Sequence, residues 1–278
     1  MKLNITTLSE NTAASPNLLA EWGLSVLIET DTSTVLFDSG QSISASHNAD
    51  VFRVNLDSID KIVLSHGHFD HTGGLKPILS RMGKDIEIIA HPDIWAAKCS
   101  YRPGREARDI GVPFPRDELE GYGARFRLTK EPVKIDDHII TTGEIPMTAD
   151  FEEIDANMYV REGDDLRPDK LLDDQALIIN TESGLVVILG CAHRGIINTL
   201  YHARQITGVK EINTVIGGCH LMGATEERIM LTIASLRELG VSRIGVSHCT
   251  GLPAAAVMAR EMGDSFFFNN AGTRITLQ

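Results

Sequence analysis

The 278-residue chain has few cysteines, no long apolar run and no excess of positive charge, and each absence excludes a class of protein. The four cysteines, Cys99, Cys191, Cys219 and Cys249, form no C-x-x-C pair and are predicted to be free thiols. The apolar runs are far shorter than the roughly 20 residues that span a bilayer, and the first residues lack the apolar core of a signal peptide. We therefore expect a cytoplasmic protein that does not enter a membrane.

The net charge of −12 argues against a basic surface for nucleic acid. It does not argue against an anionic substrate, because bound metal ions would dominate the local field. Hydrophobic content of 42% and charged content of 23% are typical of a globular protein. We expect a single domain over residues 1–278 that acts on a small molecule, and the sequence leaves a homo-oligomer open.

Residues 61–75, K-I-V-L-S-H-G-H-F-D-H-T-G-G-L, hold four potential metal ligands within six positions. The apolar I-V-L run before them predicts a short buried strand, and side chains on the turn that leaves a strand can converge. His66 and His68 are two residues apart and can reach one ion together. Asp70 and His71 are adjacent and suit a second ion nearby.

Three further histidines, His193, His220 and His248, each follow a predicted strand within a few residues. In open α/β architectures the chemistry lies past the carboxyl ends of the strands. We expect His193 and His248 to be metal ligands or immediate neighbours of the metal site. His220 is expected to face the substrate or to relay a proton.

Two other stretches allow two interpretations each. Asp38 follows the predicted strand Thr34–Phe37, and it is either a turn former or a carboxylate that orients a metal-bound histidine. The segment from about 94 to 135 contains six arginines and little periodicity and is predicted to be an irregular insertion. It is either a solvated surface excursion or a lid whose guanidinium groups, from Arg102, Arg105 and Arg108, hold an anionic substrate. A helix is predicted over residues 52–60.

The run from His66 to His71, H-G-H-F-D-H, resembles the signature of the metallo-β-lactamase-fold superfamily. The motifs G-C-A-H-R-G around His193 and S-H-C-T-G around His248 resemble one subgroup, labelled 7,8-dihydropterin-6-yl-methyl-4-(β-D-ribofuranosyl)aminobenzene-5'-phosphate synthase-like. The resemblance implies an α/β (α+β) fold, a four-layer αββα sandwich with the metal site at one edge between two facing sheets. It also implies two divalent ions, the first held by His66, His68 and the Cys191–His193 turn and the second by Asp70, His71 and His248.

The chain departs from the superfamily pattern at two positions. Glu144 stands about where most members have a histidine, and Cys191 stands about where most have a bridging aspartate. We expect His193 to complete the first site, with Glu144 and Cys191 as alternatives, and Cys191 is alternatively a small buried residue under the site. A thiolate would favour zinc, which we expect, whereas a glutamate would favour manganese or iron.

The expected function is that of a binuclear metal hydrolase. Two ions about 4 Å apart would activate water for attack on a small anionic substrate, with a phosphoester as one candidate. Asp70 and His220 are the expected catalytic residues, and backbone amides of the helix after His193 are expected to hold a phosphate. The alternatives are a condensing synthase as the subgroup label implies, a diiron redox enzyme and a non-catalytic, metal-stabilised effector.

Overall fold

Seventeen strands and seven α-helices make up residues 1–277, the part of the chain that this computed structural model describes. The strands are β1 (Leu3–Ser9), β2 (Ser25–Glu29), β3 (Thr34–Phe37), β4 (Lys61–Val63), β5 (Ile86–Ala90), β6 (Lys98–Ser100), β7 (Arg108–Asp109), β8 (Ala124–Leu128), β9 (Ile139–Thr141), β10 (Met158–Glu162), β11 (Asp165–Pro168), β12 (Ala176–Thr181), β13 (Gly184–Leu189), β14 (Ile212–Gly218), β15 (Arg243–Ser247), β16 (Phe266–Phe268) and β17 (Arg274–Leu277). The helices are α1 (Ser44–Val51), α2 (Phe69–Thr72), α3 (Leu75–Leu79), α4 (Arg116–Gly121), α5 (Ile196–Thr207), α6 (Glu226–Glu238) and α7 (Leu252–Met262).

Two large mixed sheets carry the fold. The first has the strand order β17-β1-β2-β3-β4-β5-β8, and the second has the order β16-β15-β14-β13-β12-β9. In the first sheet β3, β4, β5 and β8 run parallel. In the second β13, β14, β15 and β16 run parallel. The carboxyl ends of neighbouring parallel strands meet at one edge of a sheet, so the loops that follow them lie side by side.

The strand side chains alternate between an inner layer, shared by the two sheets, and an outer layer covered by helices. Val26 of β2 and Ile188 of β13 belong to the inner layer. Their neighbours Leu27 and Val187 pack in the outer layers, with α1, α3 and α4 on one side and α5, α6 and α7 on the other. The order helix, sheet, sheet, helix confirms the αββα sandwich that the resemblance implies.

The segment from about 94 to 135 is more regular than the sequence suggests. Its strand β8 adds a parallel edge to the first sheet, and Leu119 of α4 is buried against that sheet's outer layer. Arg125 and Arg127 alternate with less exposed residues along β8, which is the pattern of a half-buried edge strand. Because arginine occupies the exposed positions, the sequence of this strand was interpreted as part of an irregular, charged segment. The remaining strands β6 and β7 join β10 and β11 in a separate four-stranded sheet.

The prediction of a helix over residues 52–60 is wrong, because the helix in this part of the chain lies before these residues. Helix α1 ends at Val51, and only a single 3₁₀ turn, Leu56–Ser58, follows it. Arg53 has a φ of 59°, which a helix cannot continue through. No helix within residues 1–277 combines the length and the apolar character needed to cross a bilayer.

Candidate metal centre

The loop after β4 is held in place by a close backbone approach and a buried ion pair. A Cβ atom on Gly67 would lie 2.4 Å from the carbonyl oxygen of Ile94, so only glycine fits there. The amide of Gly67 donates to the Asp173 carboxylate at 2.8 Å, and Lys98 Nζ donates to the same carboxylate at 2.8 Å. Lys98 and Asp173 are almost fully buried, so the pair is shielded from solvent. The loop therefore has one well-defined position beneath the four-stranded sheet.

The first group of candidate ligands consists of His66, His68 and His193, which come from the β4 loop and from the turn after β13. Their ligand atoms all lie within 4.8 Å of one another. His66 Nε2 is 2.9 Å from His68 Nδ1 and 3.2 Å from His193 Nε2. All three rings are buried. Three imidazoles from segments more than 120 residues apart thus converge on one point.

The second group consists of Asp70, His71 and His248, again with all ligand atoms within 4.8 Å of one another. His248 Nε2 lies 3.2 Å from Asp70 Oδ2. Cys191 lies between the two groups: its Sγ is 3.1 Å from His71 Nε2, and it also shares a candidate group with His66. The arrangement provides two adjacent three-residue sites with a thiol between them.

Hydrogen bonds on the outer side of three rings fix which nitrogen faces inward. Asp38 Oδ2 accepts from His71 Nδ1 at 2.6 Å and from the Ser65 hydroxyl at 2.7 Å. Since that hydroxyl donates to Asp38, it accepts from His66 Nδ1 at 2.8 Å. The side-chain oxygen of Asn11 accepts from His248 Nδ1 at 3.0 Å. In each neutral ring the inward-facing Nε2 then carries a free lone pair, which is the form that binds a metal.

The protonation states of the first group also suit a cation. Burial lowers the pKa of His66 and His193 well below the ordinary value for histidine. Burial likewise lowers the pKa of His68 to about 3. These rings are therefore neutral at pH 7. Neutral imidazole is the ligand form of histidine.

The second group is more polar. Burial disfavours the ionised form of Asp70, but hydrogen bonding to His248 and the charge of His71 outweigh it and lower the pKa of the carboxyl. Burial likewise opposes protonation of His71, but the Asp38 carboxylate outweighs it and raises the pKa of the ring to about 9. A metal ion and a proton therefore compete for the Nε2 lone pair of His71.

The donor set fits a divalent cation of intermediate softness. Within residues 1–277, His68 Nε2 and His193 Nδ1 are buried and have no hydrogen-bond partner. The polar contacts of these two rings are thus made at the nitrogen that faces the group. Burying neutral imidazoles around a shared point is costly unless something there accepts their lone pairs. Imidazole, carboxylate and thiol together are a donor set that such cations accept.

Glu144, the alternative ligand of the first site, lies outside the candidate metal groups found in residues 1–277. Its carboxylate pairs with His91 Nε2 at 3.0 Å and with Lys130 Nζ at 3.3 Å, and its side chain is 34% exposed. The amide of Glu144 donates to the Lys130 carbonyl, which anchors the residue at this outer position. The expectation that Glu144 could serve as a ligand is therefore wrong.

His220 lines the cleft and shares a further candidate group with Cys191 and His193, in which all ligand atoms lie within 4.8 Å of one another. Its ring centre is 4.1 Å from that of His193, and its Nε2 is 4.0 Å from Asp155 Oδ2. Burial opposes protonation, but the neighbouring Cys249 thiol and Asp155 carboxylate raise the pKa of the ring. His220 can thus hold a proton beside the site.

The cleft above the two groups has a volume of about 360 Å³. Arg102 and Arg108 line it, as do Asp70 and His248. Arg105 is not among the residues that line it within the described chain. The remaining arginines of the segment face away, and these pair with surface carboxylates: Arg116 with Glu120, Arg125 with Asp85 and Arg127 with Glu87. Two of the six arginines therefore face the candidate site.

The first turn of α5 does not offer its amides to a ligand. The Glu152 carboxylate, which is buried, accepts from the amides of Ile197 at 2.9 Å and Asn198 at 2.7 Å. Gly195 at the start of the helix lies so close to Glu152 that a Cβ atom would collide with its carboxylate. The expected phosphate site at this helix is therefore wrong, because a carboxylate of the chain already fills it.

Several residues that shape the site were not identified from the sequence. Ser65 and Asn11 orient ligand rings, and Lys98 and Asp173 hold the loop. Of these, only Ser65 adjoins the motif in sequence. A lysine beside a cysteine in a short strand carries no local sign of burial, so Lys98 could not have been found from sequence patterns.

A family model described as the metallo-β-lactamase superfamily matches residues 23–203. The chain is 35% identical over 283 residues to a Methanocaldococcus jannaschii protein named 7,8-dihydropterin-6-methyl-4-(β-D-ribofuranosyl)-aminobenzene-5'-phosphate synthase, covering 97% of this chain and 95% of that protein. It is 31% identical to an uncharacterised protein of the same organism, covering 96% of this chain and 98% of the relative.

Among solved structures, the crystal structure of Tm1679 superposes with a TM-score of 0.86 at 27% identity, covering 99% of both chains. That protein is described as a metal-dependent hydrolase of the β-lactamase superfamily. Human tRNase Z, short form, superposes with a TM-score of 0.53 at 14% identity and shares the fold.

Proposed function

The chain belongs to the metallo-β-lactamase superfamily, and from that premise we propose that it is a hydrolase with a binuclear metal site that cleaves a small anionic substrate, with phosphoesters preferred. The observation that carries the proposal is the pair of adjacent buried groups, His66 with His68 and His193, and Asp70 with His71 and His248. Two sets of inward-facing lone pairs with a thiol between them are what two divalent cations need. We propose zinc as the ion, with manganese or iron as alternatives.

When bound, two such ions would lower the pKa of a water molecule and polarise the substrate bond that it attacks. The residues of the chain do the rest. Asp70 stays ionised and, from the wall of the cleft, accepts a hydrogen bond from the attacking water and orients it. His220 holds a proton on the same wall and donates it to the leaving group.

Arg102 and Arg108 supply the preference for an anion. Both line the cleft, and a guanidinium group can bind two oxygens of a phosphate at once. This supports the lid interpretation for Arg102 and Arg108, although not for Arg105.

A second candidate function is a condensation of the kind named for the M. jannaschii relative, which is 35% identical along almost the whole chain. It would use the same ions to bind and activate a phosphorylated substrate, with a second organic molecule in place of water. The cytoplasmic location expected from the sequence is compatible with four free cysteines.

Metal analysis is the first test. Protein purified after growth with zinc should hold two ions per chain by inductively coupled plasma mass spectrometry. His66→Ala and His248→Ala should each lose about one ion. His138→Ala changes an exposed histidine remote from the groups and serves as the matched control. Protein that holds no metal after growth with zinc, or equal losses in all three variants, would contradict the proposal.

A substrate panel is the second test. The loaded protein should turn over phosphodiesters faster than lactones and thioesters, and Arg102→Ala with Arg108→Ala should abolish that preference. Arg105→Ala is the control within the same segment. The reverse ranking would remove the phosphoester preference. Product formation only from a pterin diphosphate and an aminobenzene ribotide would favour the synthase instead.

A further inference from the structure

A second cavity opens beside the metal cleft, and most of the residues that line it have no role in the chemistry described above. Its volume is about 690 Å³, nearly twice that of the cleft. Trp22, Met222, Leu252 and Phe268 line it, and each of these large apolar side chains is between 43% and 76% exposed. Exposed apolar side chains gathered in one concavity, and not scattered over a surface, indicate a binding site.

Several polar groups along this cavity are already used within the protein. The Glu10 carboxylate accepts from the amides of Thr12 and His248, both at 2.7 Å. Asn11 Oδ1 accepts from the ring of His248, and the Ser247 hydroxyl donates to a backbone carbonyl. Groups that already have partners gain little from a new one. The occupant that this wall favours is therefore apolar.

The cavity and the cleft share a wall formed by Trp22, Met222 and His248. The Trp22 ring stands edge-on to His248, with the ring centres 5.0 Å apart. The amide of Met222 donates to the Cys249 carbonyl, which ties this wall to the turn that carries His248. The cleft and the cavity are therefore adjacent, with these three side chains lining both.

We propose that the cavity binds an uncharged aromatic ring of the substrate, while the anionic group of the same molecule lies in the cleft against Arg102 and Arg108. Trp22 and Phe268 offer ring surfaces for stacking or edge contacts, and Met222 offers a polarisable sulfur. The inference rests on the proposed function, since the anionic group is the one that reacts. It narrows the substrate class to aryl-bearing anions.

The test compares two non-hydrolysable ligands, benzylphosphonate and methylphosphonate, which differ only in the phenyl ring. Their affinities for the metal-loaded protein are measured by isothermal titration calorimetry. Benzylphosphonate should bind roughly 10-fold tighter or more, because the ring leaves water. Leu252→Ser should remove most of that advantage. Leu231→Ser, which changes an exposed leucine of α6 outside the cavity, should keep it.

A second readout separates this inference from the proposed function. The chain has two tryptophans, and Trp95→Phe leaves Trp22 as the single tryptophan, which is excited selectively over the four tyrosines at the red edge of the absorption band. The uncharged quencher 4-nitrobenzyl alcohol should reduce Trp22 emission saturably, and Leu252→Ser should weaken this effect. If neither phosphonate binds but the alcohol still does, the metal and anion proposal fails and the aromatic site stands.

Equal affinity for the two phosphonates, or no saturable quenching by the alcohol, overturns the inference while leaving the metal site untouched. The same holds if Leu252→Ser dissociates a dimer in sedimentation velocity and leaves ligand affinity unchanged. The apolar surface would then be a contact between copies of the chain.

Discussion

Asp38→Asn tests most directly whether the outer hydrogen bonds prepare the ligands. The Asp38 carboxylate accepts three bonds: Oδ1 from the amide of Ser65 at 2.7 Å, and Oδ2 from the Ser65 hydroxyl and from His71 Nδ1. Asparagine has nearly the same shape and tolerates the φ of 58° at this position. The change therefore alters the acceptors and leaves the backbone alone.

The consequence depends on which way the new amide points. If the new amide oxygen still accepts from the Ser65 amide, the new NH₂ group faces His71 Nδ1. That nitrogen must then accept the hydrogen bond, so the proton of the ring moves to Nε2. The same NH₂ turns the Ser65 hydroxyl towards His66 Nδ1, and that ring changes tautomer too. If the amide points the other way, its NH₂ meets the Ser65 amide, and a buried donor is left unpaired at about 1–3 kcal/mol.

The first orientation weakens metal binding, with an expected loss of about 10- to 100-fold in zinc affinity, whereas the second lowers the stability of the fold. The assay is competition with a chromophoric chelator at pH 7, with urea unfolding of the metal-free protein alongside it. The matched control is Asp60→Asn, which changes a carboxylate that accepts a backbone amide of Thr34 away from the site. An Asp38→Asn protein that folds and binds zinc like the wild type would refute the reasoning.

Four further changes have distinct expected results. Lys98→Met leaves two buried aspartates without their cation and should lower the free energy of unfolding, measured in urea, by about 3–5 kcal/mol. Its control is Lys134→Met, which removes an exposed ion pair and should not change the free energy of unfolding measurably. Glu21→Gln should destabilise by about 1 kcal/mol at pH 7, a figure kept low because the carboxylate is partly solvated. Glu144→Gln should leave zinc content unchanged. His220→Gln should lower kcat by about 100-fold while zinc content stays the same.

The Glu21 effect has a defined pH dependence. Burial disfavours the ionised form of its carboxyl, but hydrogen bonds from the Ser42 side chain and from the amide of Ser44 outweigh burial and lower its pKa. A carboxyl with a lowered pKa stabilises the fold fully above its unfolded value of about 4.3. That stabilisation is lost as the pH falls through the folded pKa. The difference in the free energy of unfolding between wild type and Glu21→Gln should therefore shrink below about pH 4. A constant difference from pH 7 to pH 3 would contradict this prediction.

For each of the other three substitutions, one outcome would contradict the reasoning. Equal losses for Lys98→Met and Lys134→Met would mean that the buried pair does not anchor the loop. A loss of zinc in Glu144→Gln would return that carboxylate to the site. A His220→Gln protein that loses its zinc would make His220 a ligand, and unchanged kcat would remove it from the proton transfer.

The sequence by itself determined the local part of the site. Ligands crowded into the run from His66 to His71 must share one turn, because a strand enters it and glycines follow it. The apolar run before His66 likewise indicated a short buried strand, which is β4, and residues Thr34–Phe37 form the predicted strand β3. These features follow from spacing along the chain, which needs no knowledge of distant contacts.

Tertiary structure alone decided the rest, since it depends on which distant segments meet. Glu144 is excluded by its pairing with His91, 53 residues away, and the first amides of α5 are filled by Glu152, 45 residues earlier. Likewise only Arg102 and Arg108 of six arginines face the cleft, because β8 carries two of the others to the far edge of the first sheet. Composition and periodicity depend only on the residue types and their spacing along the chain. The burial of a side chain, its partners and the direction in which it points are set only when the two sheets pack together.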